Sequence, residues 1–227
     1  MAIGCLLLHG FAGNLGEIEG LKSHLTERGY LVSSPMLKGH TDNLNDLEGV
    51  SYKDWISSGE EGLKDLLKET ERVIIIGFSM GGLIATHLAL KYHPLALITL
   101  ATPIYHWDLK RVFINFFTDI KNKDNQNIKR YVRGSRIPLQ ALLNFKRLLI
   151  KTKPLFHSIQ CPVFIAQGLL DDTVQHRSAE YIFSHVQSPR KEKKYYPNSG
   201  HLICLGADKE LLFEDLENFI LKEINRE

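Results

Sequence analysis

Short apolar runs alternate with longer amphipathic stretches along most of the chain, and the alternation predicts a parallel sheet covered by helices on both faces. Strands are expected over residues 3–8, 30–34, 72–77, 96–101, 162–167 and 191–196. Helices are expected over 17–28, 52–68, 80–92, 177–185 and 207–224. Gly29 stands where a helix C-terminus favours glycine, and Asp208 is in position to N-cap the last helix. In that helix Leu211, Leu212, Leu216, Phe219 and Ile220 recur at helical spacing, which predicts a buried stripe.

One stretch breaks the alternation. Between Ile104 and Phe156 the apolar residues (Val112, Ile114, Phe116, Phe117, then Leu139, Leu142, Leu143, Phe145, Leu148, Leu149) follow helical periods, and Pro103, Pro138 and Pro154 punctuate it. About fifty residues between two core strands exceed an ordinary loop, so the segment is expected to be structured. The chain divides accordingly into a first core part (1–103), a small helical cap (104–157) over the C-terminal edge of the sheet, and a second core part (158–227).

Composition narrows the class. With 227 residues and 44% apolar content, the chain can bury one substantial core. No run approaches the ~18 uninterrupted apolar residues of a membrane helix, so stable membrane insertion is not expected. Residues 1–8 read as the first core strand and not as an export signal. Cys5, Cys161 and Cys204 are odd in number and widely spaced, which argues against a disulfide framework or zinc site and for a reducing, cytoplasmic setting. Cys5 and Cys161 read as buried, inert thiols, and Cys204 as a packing residue near the site.

The net charge of +2 is unevenly spread. Twelve Lys/Arg and three Asp fall between Tyr105 and Phe156, leaving sixteen basic and twenty-three acidic residues elsewhere. A cationic cap over an acidic body reads first as a solvated face. The sharper reading is a surface that draws in anionic substrates or lipids. No nucleic-acid partner is expected.

The candidate chemistry starts at Gly77-Phe78-Ser79-Met80-Gly81, between the β-branched run at 73–76 and the helical pattern that begins at Gly82. A serine on so sharp a strand-to-helix turn needs neighbours without bulk two positions away, and the turn raises its hydroxyl clear of the sheet. A serine hydroxyl is a weak nucleophile at neutral pH. It needs a base, a carboxylate that orients the base, and donors for the oxyanion.

His201 is the candidate base among ten histidines, since it alone lies on a glycine-flexed loop between the last strand and the last helix. His24, His87, His93, His106, His157 and His185 have structural or solvated readings. The acid is Asp171 or Asp172. The pattern Gly-x-x-Asp-x-x-Val from Gly168 to Val174 selects Asp171, leaving Asp172 to cap the following turn or helix. For the oxyanion, the two glycines around Phe11 in His9-Gly10-Phe11-Ala12-Gly13 allow the Phe11 amide to point into the pocket, with the Met80 amide as its partner at a helix N-terminus.

These segments together resemble the small carboxylesterases of Gram-positive bacteria and the bacterial monoglyceride lipases of the α/β-hydrolase fold. The likeness is carried by His-Gly-Phe-Ala-Gly-Asn at 9–14, Pro-Met-Leu-Lys-Gly-His at 35–40, Gly-Phe-Ser-Met-Gly-Gly at 77–82, Ala-Thr-Pro-Ile-Tyr at 101–105, Asp-Asp-Thr-Val at 171–174 and Ser-Gly-His-Leu-Ile at 199–203. It implies a triad of Ser79, Asp171 and His201, oxyanion donors at Phe11 and Met80, and a small helical lid. The implied substrates are short- to medium-chain acyl esters, with monoacylglycerols as one candidate. A monomer or weak homodimer is expected. No metal or organic cofactor is implied. Two departures stand out: Gly39-His40-Thr41 where members often read Gly-His-Gly, and a start directly at the oxyanion strand. A thioesterase or an amidase/peptidase would share the triad, and a binding protein of this fold with little turnover is a third reading.

Overall fold

The computed structural model of the protein describes residues 2–105 and 137–226. The described residues form one sheet of six parallel strands in the order β2-β1-β3-β4-β5-β6. The strands are β1 (Gly4–Leu8), β2 (Leu31–Ser33), β3 (Val73–Phe78), β4 (Ala96–Leu100), β5 (Val163–Gly168) and β6 (Lys191–Tyr196). All six lie where the apolar runs predict them, to within a residue or two.

The helices are α1 (Glu19–Glu27), α2 (Tyr52–Leu66), α3 (Met80–Tyr92), α4 (Leu139–Thr152), α5 (Arg177–His185) and α6 (Lys209–Ile224). Because side chains alternate across a strand, β1 and β3 feed two separate cores. Leu6, Leu8 and Ile75 pack with α2, α3, α4 and α5 on one face. Cys5, Leu7, Ile74, Ile76 and Phe78 pack with α1 and α6 on the other. That two-sided burial is why the central strands read as unbroken apolar runs.

β6 closes one edge with Lys191-Glu192-Lys193-Lys194. Charged side chains on an edge strand discourage pairing with another chain. Here the lysines are tied inward, Lys191 Nζ donating to the carbonyls of Phe183 and Val186 at 2.9 Å each.

Three expectations change in detail. The helix expected from residue 17 begins at Glu19, after a separate 3-10 turn over Leu15–Glu17 that Asn14 caps through its side-chain oxygen. Asp208 precedes α6 but makes no side-chain cap; its carboxylate turns toward residues 198–199 instead. On α6, Leu211 is half exposed, and Phe213 joins Leu212, Leu216, Phe219 and Ile220 in the buried stripe.

Residues 106–136, the first part of the expected cap, lie outside the described residues. Its second part holds α4, which packs on α3 and α2 through Ala141, Asn144, Leu148 and Thr152, a spacing that keeps one helical face down. Asn144 Nδ2 donates to the Val50 carbonyl at 3.2 Å and so pins α4 to the chain just ahead of α2. Among the described residues no helix is long and apolar enough to cross a membrane.

Candidate active site

Ser79 occupies the turn between β3 and α3 with φ 51° and ψ −120°, a conformation L-residues rarely adopt. Sterics around it explain the three glycines. A Cβ on Gly77 would lie 2.3 Å from the Gly81 carbonyl, one on Gly81 would lie 2.1 Å from the Leu8 oxygen, and one on Gly82 would lie 1.8 Å from Thr102 Oγ1. The turn is clamped from the sheet side by the Ser79 amide, which donates to the Leu100 carbonyl at 2.8 Å. Met80 opens α3, where first-turn amides have no intrahelical acceptor.

His201 comes from the loop between β6 and α6 and reaches Ser79 across 122 positions of sequence. Its Nε2 lies 3.1 Å from Ser79 Oγ, and its Nδ1 lies 2.9 Å from Asp171 Oδ2. A carboxylate only accepts, so Nδ1 carries the proton and the Nε2 lone pair faces the serine hydroxyl. The ring leans on Phe78 at 5.2 Å between centroids. Ser79 and His201 are only 8% and 9% exposed, which keeps the pair largely out of bulk water.

The loop that presents His201 is held by Asp208. Its carboxylate accepts from the Asn198 amide at 2.7 Å, from Asn198 Nδ2 at 3.0 Å and from Ser199 Oγ at 3.1 Å, and the Asn198 bonds hold its pKa below the ordinary carboxylate value. The end of β5 packs straight against this loop, since a Cβ on Gly168 would meet the Ser199 carbonyl at 2.3 Å. An N-cap reading of Asp208 misses this role because the loop and the helix compete for the same carboxylate.

Asp171 follows β5 and is 5% exposed. Four donors converge on it: the Thr173 and Val174 amides on Oδ1 at 2.8 Å each, and Gln167 Nε2 and His201 Nδ1 on Oδ2 at 2.9 Å each. Asp172 is also buried, and it accepts from the Thr173 hydroxyl at 3.0 Å. It does not cap α5, which starts at Arg177 behind His176. The structure therefore brings Ser79, His201 and Asp171 together and leaves Asp172 out of contact with the imidazole.

Leu8 pairs in register with Gly77, so the turns after β1 and β3 are neighbours. Phe11 lies in the first of these turns. Its ring stacks on Phe145 of α4 and meets Trp55 edge-on at 5.6 Å. His9 behind it is fully buried; its Nε2 accepts from the Leu37 amide at 3.1 Å and its Nδ1 donates to the Gly10 carbonyl at 2.9 Å. Burial lowers the His9 pKa, and it pushes His40, which contacts His9, Phe11 and Trp55, down to about 4. Both imidazoles are thus neutral packing elements behind the turn.

Cys5 and Cys204 are buried and Cys161 is partly so; burial raises their thiols to about 12, 12 and 11. None has the thiolate character a reactive cysteine needs.

The sequence profile of the alpha/beta hydrolase fold family matches residues 6–118. A thermostable monoacylglycerol lipase of Bacillus sp. (strain H-257) is 30% identical over an alignment covering 97% of this chain and 91% of that protein. The chain belongs to the alpha/beta hydrolase fold family. A carboxylesterase of Bacillus subtilis (strain 168) is 25% identical across 96% of this chain and 92% of its own length. Among solved structures, one from the metagenome-derived lipolytic enzymes LipS and LipT superposes with a TM-score of 0.82 at 21% identity, covering 97% of this chain and 94% of that one. A soluble variant of monoglyceride lipase from Saccharomyces cerevisiae superposes with a TM-score of 0.75 at 19% identity, covering 98% and 87%. At these identities the structural likenesses speak for the α/β-hydrolase fold alone.

Proposed function

We propose that this protein is a serine carboxylesterase that hydrolyses short- to medium-chain acyl esters, monoacylglycerols among them, through an acyl-enzyme on Ser79. The observation that carries the reading is the continuous relay from Ser79 Oγ to His201 Nε2 at 3.1 Å and from His201 Nδ1 to Asp171 Oδ2 at 2.9 Å. The two curated relatives, a monoacylglycerol lipase and a carboxylesterase, both act on carboxylic esters and cover nearly the whole chain.

In the first step Ser79 Oγ attacks the ester carbonyl carbon while its proton passes to His201 Nε2. The carbonyl oxygen becomes an oxyanion, for which the Phe11 and Met80 amides are the donors in this reading. Asp171 accepts from Nδ1 and stabilises the imidazolium without taking its proton. The C–O bond to the alcohol breaks, and His201 returns the proton to the leaving oxygen. Water then gives a proton to His201 and attacks the acyl-enzyme, and collapse of the second tetrahedral species frees the acid and Ser79. In this reading segment 104–157 is the cap, and Phe145 on α4 stacks on the Phe11 ring of the oxyanion turn.

A panel of p-nitrophenyl esters of increasing acyl length, run on wild type and Ser79→Ala, tests the proposal. Turnover that peaks at short to medium chains and vanishes in Ser79→Ala supports it. Preference for a thioester or anilide over the matching oxygen ester would replace it with a thioesterase or amidase assignment.

A further inference from the structure

The turn that follows β1 is folded around a carboxylate. Asn14, in extended conformation, accepts from the Gly16 amide at 2.9 Å and starts the 3-10 turn over Leu15–Glu17, which sends the Glu17 side chain back toward the end of the strand. Glu17 Oε2 accepts from the Gly10 amide at 3.2 Å. A Cβ on Gly13 would lie 2.2–2.4 Å from the Glu17 carboxyl atoms, and one on Gly10 would lie 3.1 Å from Oε2. Residues 10–13 therefore wrap the carboxyl group closely: a side chain on Gly13 would displace the Glu17 carboxylate, and one on Gly10 would press against it. Between them Ala12 is held at φ 54°, a left-handed conformation that costs a non-glycine residue roughly 1 kcal/mol or more and needs its surroundings to enforce it.

Two consecutive peptide planes are thus fixed by side chains. Glu17 takes the N–H of the 9–10 peptide, and His9 Nδ1 donates to the carbonyl of the 10–11 peptide at 2.9 Å. The second plane also contains the Phe11 N–H, which points opposite to that carbonyl. The same carboxylate lies near the buried Cys204 thiol, whose pKa it helps to raise after burial itself, and Cys204 sits three positions beyond His201. Nothing in the sequence pattern marks Glu17, which reads there as the first residue of a surface helix.

We infer that Glu17 is a positioning residue that sets the direction of the Phe11 amide by holding the Gly10 amide, and so governs how well the oxyanion is stabilised. The inference rests on the assignment of Ser79 and Phe11 under Proposed function. Loss of a whole oxyanion donor costs about 10²–10³ in rate, so misdirecting one costs a part of that.

The test uses Glu17→Leu, which fills the space without an acceptor, and Glu17→Gln, which keeps an oxygen toward Gly10. Each is assayed with a p-nitrophenyl alkanoate and with the corresponding thionoester, whose C=S sulfur draws little on oxyanion donors. Rates are normalised to sites titrated with a fluorophosphonate, so that misfolded protein does not count. The expected result is a fall of about tenfold in ester kcat for Glu17→Leu with KM within about threefold. The thionoester rate changes less than about twofold, and Glu17→Gln recovers most of the loss. The inference is overturned if Glu17→Leu keeps the wild-type ester kcat, if ester and thionoester fall together, or if Glu17→Gln fails to rescue. A parallel Ser79→Ala arm separates the two levels: turnover there defeats the esterase assignment itself, whereas an inactive Ser79→Ala beside an unaffected Glu17→Leu defeats only the role given to Glu17.

Discussion

Phe11 and Phe145 stack with ring centroids 5.0 Å apart and planes 17° from parallel, joining the turn after β1 to α4. Aromatic pairs contribute roughly 0.5–1.5 kcal/mol beyond their buried area. If the stack holds Phe11 over the site, Phe145→Ala lowers kcat/KM for a medium-chain ester by about five- to tenfold, and Phe145→Leu, which keeps bulk, falls between. Steady-state kinetics on the three proteins check this. An unchanged kcat/KM in Phe145→Ala would mean that α4 contributes nothing at the turn after β1.

The two neighbouring acids separate cleanly by their partners. Asp171 accepts from His201 Nδ1, and Asp172 accepts from the Thr173 hydroxyl. Asp171→Asn removes the group that fixes the imidazole tautomer, and kcat is expected to fall about 10³–10⁴-fold. Asp172→Asn is expected to lower the thermal midpoint while kcat per titrated site stays within about tenfold of wild type, because its carboxylate does not touch the relay. Reversal of that ranking would move the orienting role to Asp172.

Backbone strain at Ser79 gives a prediction that does not depend on turnover. Ser79 sits at φ 51° and ψ −120°, where a side chain costs of order 1–3 kcal/mol. Glycine relieves this but gains about 0.5–1 kcal/mol of unfolded-state entropy to lose. Ser79→Gly should therefore unfold about 1 kcal/mol later than Ser79→Ala in a urea titration, with both inactive. A Ser79→Gly that is about 0.5–1 kcal/mol less stable than Ser79→Ala would mean the elbow carries no strain.

Burial of His40 links stability to pH. Its folded pKa, about 4, lies below the ordinary 6.5, so the unfolded chain takes up the proton first as pH falls. This residue's stabilisation is whole above about pH 6.5, is lost progressively between about 6.5 and 4, and is constant below that. The full effect is about 3 kcal/mol. In His40→Phe the drop between denaturation midpoints at pH 7 and pH 4 should shrink, with the lowered His9 supplying part of what remains. An identical pH profile in His40→Phe would show that the imidazole titrates normally in the folded protein.

What could be read in advance, and what could not, follows the range of the forces involved. The strand at 73–78 and the serine turn were legible because burial on both faces demands an apolar run and because Gly77, Gly81 and Gly82 have no room for a Cβ. His201 was legible from its place between β6 and α6. The spacing from Gly168 to Val174 pointed to Asp171 over Asp172, and the local backbone conformation brings the Asp171 carboxylate to Nδ1. Asp208 does stand at the N-cap of the last helix, but that its carboxylate turns to residues 198–199 was not legible, because two sets of donors compete for it. The Phe11–Phe145 stack and the Glu17 contact were invisible because each depends on how separate elements are folded back on one another.

The most direct test of the central claim, that His201 makes Ser79 the nucleophile, is stoichiometric labelling with a fluorophosphonate, followed by intact mass and peptide mapping alongside residual esterase activity. The account predicts one adduct per chain on Ser79, activity lost in step with labelling, and labelling slowed by several orders of magnitude in His201→Ala. An adduct on another residue, or a fully labelled protein that still turns over ester, would contradict it.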